Sequence, residues 1–184
     1  MTVKPAFKNG GVFVELGPME KKLPTEPPEE FKLKKILVPL DFSDCSKKAL
    51  EYAIPYAKQF DAELVLLNVI EPYPPVPQME LVDVEMIQDS LRDLETLREI
   101  VGDDVLCRSE VRTGVPHVEI VQEAKQNHID LIILATHGYK GLSHVFLGST
   151  AEKVVRNAPC PVLTVRQSER EFVRAQSPSK PSLF

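Results

Sequence analysis

Three short runs, residues 34–41 (led by two lysines), 62–69 and 129–135, are mainly apolar and rich in Leu, Ile and Val. Runs this short read as strands covered on both faces rather than as buried helices. A sheet covered on both faces needs helices on either side, and the intervening segments supply them. Ser43 or Asp44 can cap a helix in which Ala49, Leu50, Ala53, Ile54, Ala57 and Phe60 recur at helical spacing, with Pro55 expected to kink it or loosen its second half. Val84, Ile87, Leu91, Leu94 and Val101 trace a second stripe, ended by Gly102-Asp-Asp. Gly114-Val-Pro116 leads into a third helix, with Pro116 in the first turn and Ile120, Val121 and Ala124 on the inner face. A fourth helix spans about Ser149 to Asn157. Residues 105–113 form a strand with one more exposed face, and residues 161–166 form the last strand. Strands alternating with helices imply a single-domain α/β fold, an open parallel five-stranded sheet with helices on both faces and right-handed crossovers. Ligands of such sheets bind beyond the carboxyl ends of the strands, which directs attention to Asp41, to residues 69–71 and to residues 135–148.

The prolines mark where this core stops. Five of the 16 lie in residues 1–33, four crowd residues 72–77, and Pro178 and Pro181 stand near the end. Segments this rich in proline do not build a packed core. Three parts result: a Pro-, Glu- and Lys-rich extension over residues 1–33, a domain over 34–166 and a polar tail over 167–184. The extension reads either as a disordered leader or as an arm for an unknown protein partner, with residues 10–16 able to form one short strand. The domain carries 14 basic and 20 acidic residues, net −6, and an acidic domain without a basic stripe argues against nucleic-acid binding. No apolar run approaches the roughly 20 residues of a membrane span, and the first residues lack the pattern of a secretory signal. Cys45, Cys107 and Cys160 form neither a pair motif nor a metal spacing, and their odd count suits a reducing compartment. A cytoplasmic protein with no membrane or nucleic-acid partner is expected.

One window concentrates the glycines. Residues 135–150, Ala-Thr-His-Gly-Tyr-Lys-Gly-Leu-Ser-His-Val-Phe-Leu-Gly-Ser-Thr, run from the end of a buried strand into a helix start. Free N–H groups at that start, together with the positive end of the helix dipole, suit a phosphate. Gly148 lets a ligand approach the backbone, and Ser149 and Thr150 add hydroxyls. Ser149 and Glu152 also have the spacing of a capping box, which needs no ligand; spacing alone leaves both readings open. Neither G-x-x-x-x-G-K-[ST] nor G-x-G-x-x-G is present, so a Walker ATPase and a dinucleotide dehydrogenase are unsupported.

Five separated blocks together resemble the universal stress protein family. They are Lys35-Ile-Leu-Val-Pro-Leu-Asp41-Phe-Ser43, Gly114-Val-Pro116, Asp130-Leu-Ile-Ile-Leu-Ala-Thr-His137-Gly138, Gly148-Ser149 and Asn157-Ala-Pro-Cys-Pro-Val-Leu-Thr-Val165. The resemblance spans about residues 34–166 and implies a Rossmann-like or flavodoxin-like sheet of the adenine nucleotide alpha hydrolase kind. ATP-binding members carry G-x2-G-x9-G-[ST], against which this chain has Ala135-x2-Gly138-x9-Gly148-Ser149. The first glycine is replaced by Ala135, whose methyl fits if φ there is negative, as expected at a strand end. The resemblance implies that Pro39, Leu40 and Asp41 flank adenine and ribose, with Asp41 available to a ribose hydroxyl. It implies that Val69 lines adenine, and that His137, Gly138, Gly148, Ser149 and Thr150 reach the phosphates. It further implies ATP with Mg²⁺ as ligand, and a homodimer formed by pairing of the last strand, Val162–Val165, with its two-fold mate.

Other chemistry is poorly supported. Asp41 follows the first core strand, whereas a response-regulator phospho-acceptor follows the third. No G-x-S-x-G elbow makes a triad of Asp41, His137 and Ser149. His117, His128 and His144 read as solvated, Lys140 as an exposed cation, and Cys160 as a small apolar residue. A stress-response or signalling module that holds ATP and turns it over slowly at most is the expectation. The alternatives are a dimeric scaffold of the same fold that binds no nucleotide, for which Ala135 is the argument, and a protein that phosphorylates itself at Ser149 or Thr150.

Overall fold

The computed structural model describes residues 2–5, 12–15, 32–72, 84–136 and 147–166. The chain divides into two units, Met1–Phe31 and Lys32–Phe184. In the first, β1 (Thr2–Pro5) pairs antiparallel with β2 (Val12–Glu15), Thr2 facing Glu15 and Pro5 facing Val12. β2 falls in the segment where the sequence leaves room for a short strand.

The second unit holds β3 (Lys35–Pro39), α1 (Asp44–Phe60), β4 (Glu63–Ile70), α2 (Val84–Val101), β5 (Cys107–Thr113), α3 (Pro116–Gln126), β6 (Leu131–Ala135), α4 (Ser149–Asn157) and β7 (Val162–Val165). Its sheet has the order β5-β4-β3-β6-β7, with every neighbouring pair parallel. This is the α/β architecture expected from the strand and helix alternation. The apolar runs explain it. Ile36, Leu37 and Val38 are fully buried although successive side chains of a strand point to opposite faces. Ile36 and Val38 pack with Leu64, Leu66 and the inner faces of α1 and α2. Leu37 packs with Val65, Leu67 and the inner residues of α3 and α4. Each fully buried Leu, Ile or Val contributes about 1.5–3 kcal/mol relative to exposure, so neither helical layer is dispensable.

Local signals set the element ends. Ser43 caps α1, its Oγ accepting the Ser46 N–H at 3.2 Å. Asp61 closes α1 in the left-handed conformation, φ 51°. Pro55 lies inside the helix, as expected, and α1 continues past it to Phe60 with Ala57 buried beyond the proline. Pro116 occupies the first turn of α3. The stripe expected on α2 is displaced. Val84 and Leu91 are 66% and 46% exposed, and the inner face is Ser90, Leu94, Leu97 and Val101. At 100° per residue, Leu91 lies roughly a quarter turn from the direction shared by Leu94 and Val101.

The inner face of α3 includes one residue that apolar periodicity misses. Glu123 is fully buried beside Ile120, Val121 and Ala124. Its carboxylate accepts from Arg108 Nη2 at 2.9 Å, from Arg112 Nη2 and from Asn127 Nδ2 at 2.7 Å. The two arginines stand on edge strand β5 and also flank Glu110, at 2.6 and 3.0 Å. At the amino ends of β3 and β6, Asp130 Oδ2 accepts the backbone N–H groups of Lys34 and Lys35 at 2.8 and 2.9 Å.

The winding order locates the place where a ligand fits. From β3 the chain moves outward to β4 and β5, then returns to the other side of β3 for β6 and β7. In open α/β sheets this reversal is where a ligand crevice forms, beyond the carboxyl ends of the strands, here β3 and β6.

Candidate functional site

One wall of the crevice is the end of β3. Pro39 is half-buried and pairs with Leu67 of β4. Leu40 extends the ladder through its N–H, 2.8 Å from the Leu67 carbonyl, while its side chain is buried in the core at 4% exposure. Leu40 therefore offers the site its backbone rather than its side chain. Asn68 Nδ2 donates to the Leu40 carbonyl at 2.7 Å. The chain then leaves the sheet: Asp41 is exposed, and Phe42 adopts a left-handed φ of 64°. Asp41 Oδ1 accepts from the Ser43 N–H at 3.2 Å and from Ser43 Oγ at 2.6 Å. Val69, near the end of β4, is half-buried against the α3/α4 side of the core.

The other wall is the end of β6. Ala135 is its last residue, half-buried, paired with Val165, and outside the short set of residues with positive φ. The backbone condition for accommodating its methyl is met. Thr136 is buried; its N–H donates to the Val165 carbonyl at 2.8 Å and its carbonyl accepts the Gly148 N–H at 2.7 Å. This clasp sets the start of α4 beside the end of β6. His137 and Gly138 lie outside the described residues, as do Lys140, His144 and the proline-rich segment from residue 73.

Gly148 is the N-cap of α4, with φ −65° and ψ 157°, and provides no capping side chain. Ser149, which a capping box would make the cap, is the first helical residue, where the sequence starts the helix, and is exposed; Thr150 follows, half-buried. The capping-box reading fails because Gly148 takes the cap position one residue earlier, its carbonyl accepting the Glu152 N–H at 2.9 Å. Glu152 turns the other way and pairs with Arg156 at 2.8 Å. The first N–H groups of a helix have no intrahelical partner, so those of Ser149, Thr150 and Ala151 point out of α4, at its positive end.

The ends of β3 and β6 and the start of α4 thus carry Pro39, the Leu40 backbone, Asp41, Ala135, Gly148, Ser149 and Thr150, with Val69 on the neighbouring strand β4. The sequence reading missed Asn68 and Thr136. Asn68 carries a legible signal, being the polar residue near the carboxyl end of an otherwise apolar run. Thr136 acts through its backbone and carries none. Cys160, at the start of the last strand, is half-buried, and burial raises its thiol pKa, with Asp130 adding to the shift; a small, unreactive filler is what the environment supports.

An open parallel sheet with a crevice at its reversal point, flanked by an uncapped helix start, defines a doubly wound α/β domain of the kind that takes ligands at the carboxyl edge. Residues 32–166 match the model of the universal stress protein family, and the chain belongs to that family. It is 39% identical over 146 residues to universal stress protein MJ0531 of Methanocaldococcus jannaschii, covering 75% of this chain and 85% of that protein. The solved universal stress protein UspA of Lactobacillus plantarum superposes with a TM-score of 0.67 at 30% identity, covering 74% of this chain and all of that one. A universal stress protein solved in complex with cAMP shares the fold, with a TM-score of 0.56 at 24% identity over 75% of this chain and all of that one.

Proposed function

We propose that this stress-response protein binds ATP, with Mg²⁺ carried on the phosphates, in the crevice between the ends of β3 and β6. The observation that carries the reading is the Thr136–Gly148 clasp, which holds an uncapped helix N-terminus at the point where the sheet reverses. N–H groups of Ser149, Thr150 and Ala151 would meet the phosphates, with the hydroxyls of Ser149 and Thr150 as further donors. Asp41 would accept from a ribose hydroxyl, and Pro39 and Val69 would lie along the base. His137 and Gly138 complete the phosphate site in this reading. The residues present suit the ligand: Ala135 has the backbone of a strand rather than one reserved for glycine, and Ser149 is not consumed by capping. The chemistry on offer is binding, with hydrolysis slow at most. We further propose that two copies associate through the outer edge of β7.

The test is direct. Protein purified without added nucleotide is denatured and the supernatant assayed for adenine nucleotide, and melting is followed with and without Mg-ATP. Bound nucleotide, or a rise of about 5–10 °C at a hundredfold excess over Kd, supports the reading. No nucleotide and no shift would leave the nucleotide-free scaffold in its place.

A further inference from the structure

We propose that Asn68 and Ser43 are positioning residues that fix Asp41 for recognition of the ribose hydroxyls, Asn68 from behind through the backbone and Ser43 from in front through the carboxylate. The proposal rests on the nucleotide reading above and goes beyond it by assigning roles to two residues outside the proposed ligand shell.

Asn68 stands one residue before Val69 and is 7% exposed. Alternation along β4 puts it on the same face as Leu64 and Leu66, beneath α1 and α2 rather than in the crevice. A buried amide in an apolar strand is costly unless its donors are used. Here Nδ2 donates at 2.7 Å to the Leu40 carbonyl, the oxygen of the peptide bond that joins Leu40 to Asp41. The Leu40 N–H is already held by the Leu67 carbonyl at 2.8 Å. β4 therefore grips both sides of Leu40, one through its backbone and one through Asn68. Without the Asn68 bond, the Leu40 carbonyl would lose its partner just where β3 ends and the chain turns through the left-handed Phe42. The peptide plane that aims Asp41 would lose its anchor.

Ser43 works on the side chain. Its Oγ donates to Asp41 Oδ1 at 2.6 Å and accepts the Ser46 N–H at 3.2 Å, while its own N–H adds a 3.2 Å bond to Oδ1. The carboxylate is thereby tied to the start of α1. The two bonds to Oδ1 fix the direction of the carboxylate, which is what recognition of a hydroxyl on a rigid ring requires.

The test is a set of affinity cycles on the full chain with ATP and 2′,3′-dideoxy-ATP, which lacks both ribose hydroxyls. Asn68→Leu removes the donor, and Ser43→Ala, at a less buried position, removes the front anchor. The wild-type chain is expected to bind ATP about tenfold more tightly than the dideoxy analogue, the worth of one hydrogen bond to a charged group. Each variant should lose most of that preference by weakening ATP, with dideoxy-ATP affinity changed less than about twofold. Equal losses for both ligands would make Asn68 and Ser43 structural residues and overturn the proposal. So would an unchanged preference, or a wild type that does not distinguish the two ligands. A wild type that binds neither would sink the nucleotide reading itself. Should the Asn68 variant melt before it can be assayed, the Ser43→Ala cycle decides by the same criterion.

Discussion

Gly148 has φ −65° and ψ 157°, a conformation open to any residue. Its lack of a side chain therefore serves space rather than backbone freedom, which fits a position where a ligand approaches the first turn of α4. Gly148→Val should abolish ATP binding, lowering affinity about a hundredfold or more by filling the phosphate space. The fold should lose only about 1 kcal/mol, the scale of an N-cap change. Calorimetric titration beside a urea melt separates the two effects, and unchanged affinity would show that the phosphates lie elsewhere. Gly114 is the opposite case. Its φ is 146°, so conformation requires glycine, and a Cβ there would also push aside the Glu119 side chain, whose Oε1 it would meet at 2.9 Å. The sequence shows Gly114 and Gly148 as the same letter; φ tells them apart.

At the scale of elements, the edge strand β5 and helix α3 are joined by charge. Arg108 and Arg112 reach across to the buried Glu123, and Glu110 lies between them. Burial opposes ionisation of Glu110, but hydrogen bonds from Arg108 and Arg112 outweigh it, and its carboxyl lies below the ordinary value of 4.5. A carboxyl with a depressed native pKa binds fewer protons than the same group in the unfolded chain, so it stabilises above the unfolded pKa and that stability is lost as pH falls through the native one. Stability of the wild type should therefore drop more steeply below about pH 4.5 than that of Glu110→Gln. Urea midpoints measured for both between about pH 6 and pH 3 check this; parallel curves would show that the pair network contributes nothing pH-dependent. Breaking the network at Glu123 is a different matter, because two guanidinium groups would lose a buried partner, a change that costs about 3–5 kcal/mol. The alternation Arg108, Glu110, Arg112 is visible in the sequence. That Glu123 lies under it is not, since a glutamate between Gln122 and Ala124, with Lys125 and Gln126 following, reads equally well as solvated.

At the scale of the whole molecule, the five-stranded sheet ends, among the described residues, in two edge strands, β5 and β7. β5 carries the Arg and Glu side chains that discourage pairing with another strand, whereas β7 reads Val-Leu-Thr-Val and leaves Val162, Leu163 and Thr164 half-buried. This asymmetry favours β7 as the edge that meets a second copy. The carbonyls of Pro161 and Val165 face β6, accepting from Ile132 and Thr136, so the intervening alternation turns the Thr164 N–H outward. Thr164→Pro should remove that donor without breaking the sheet and convert the proposed dimer to monomer. Sedimentation of both proteins reads the result; a dimer that survives the proline would place the association on another surface. Among the described residues no helix is long and apolar enough to cross a membrane.

The periodicity of the chain determined the order of strands and helices, the parallel sheet and the end of the sheet at which to look. It does so because burial on two faces leaves a run of Leu, Ile and Val no polar alternation, and helical crossovers are the one way to cover both faces. The motif residues likewise placed Asp41, Ala135 and Gly148 at strand and helix ends. Tertiary structure alone decided how those ends meet. The 2.7 Å bond from Gly148 N–H to the Thr136 carbonyl and the 2.7 Å bond from Asn68 to the Leu40 carbonyl each join segments far apart in sequence. They are bonds of direction and distance, fixed once the sheet has set its register. No spacing of letters encodes them, which is why the cap at Gly148, the burial of Glu123 and the support behind Asp41 became visible only in three dimensions.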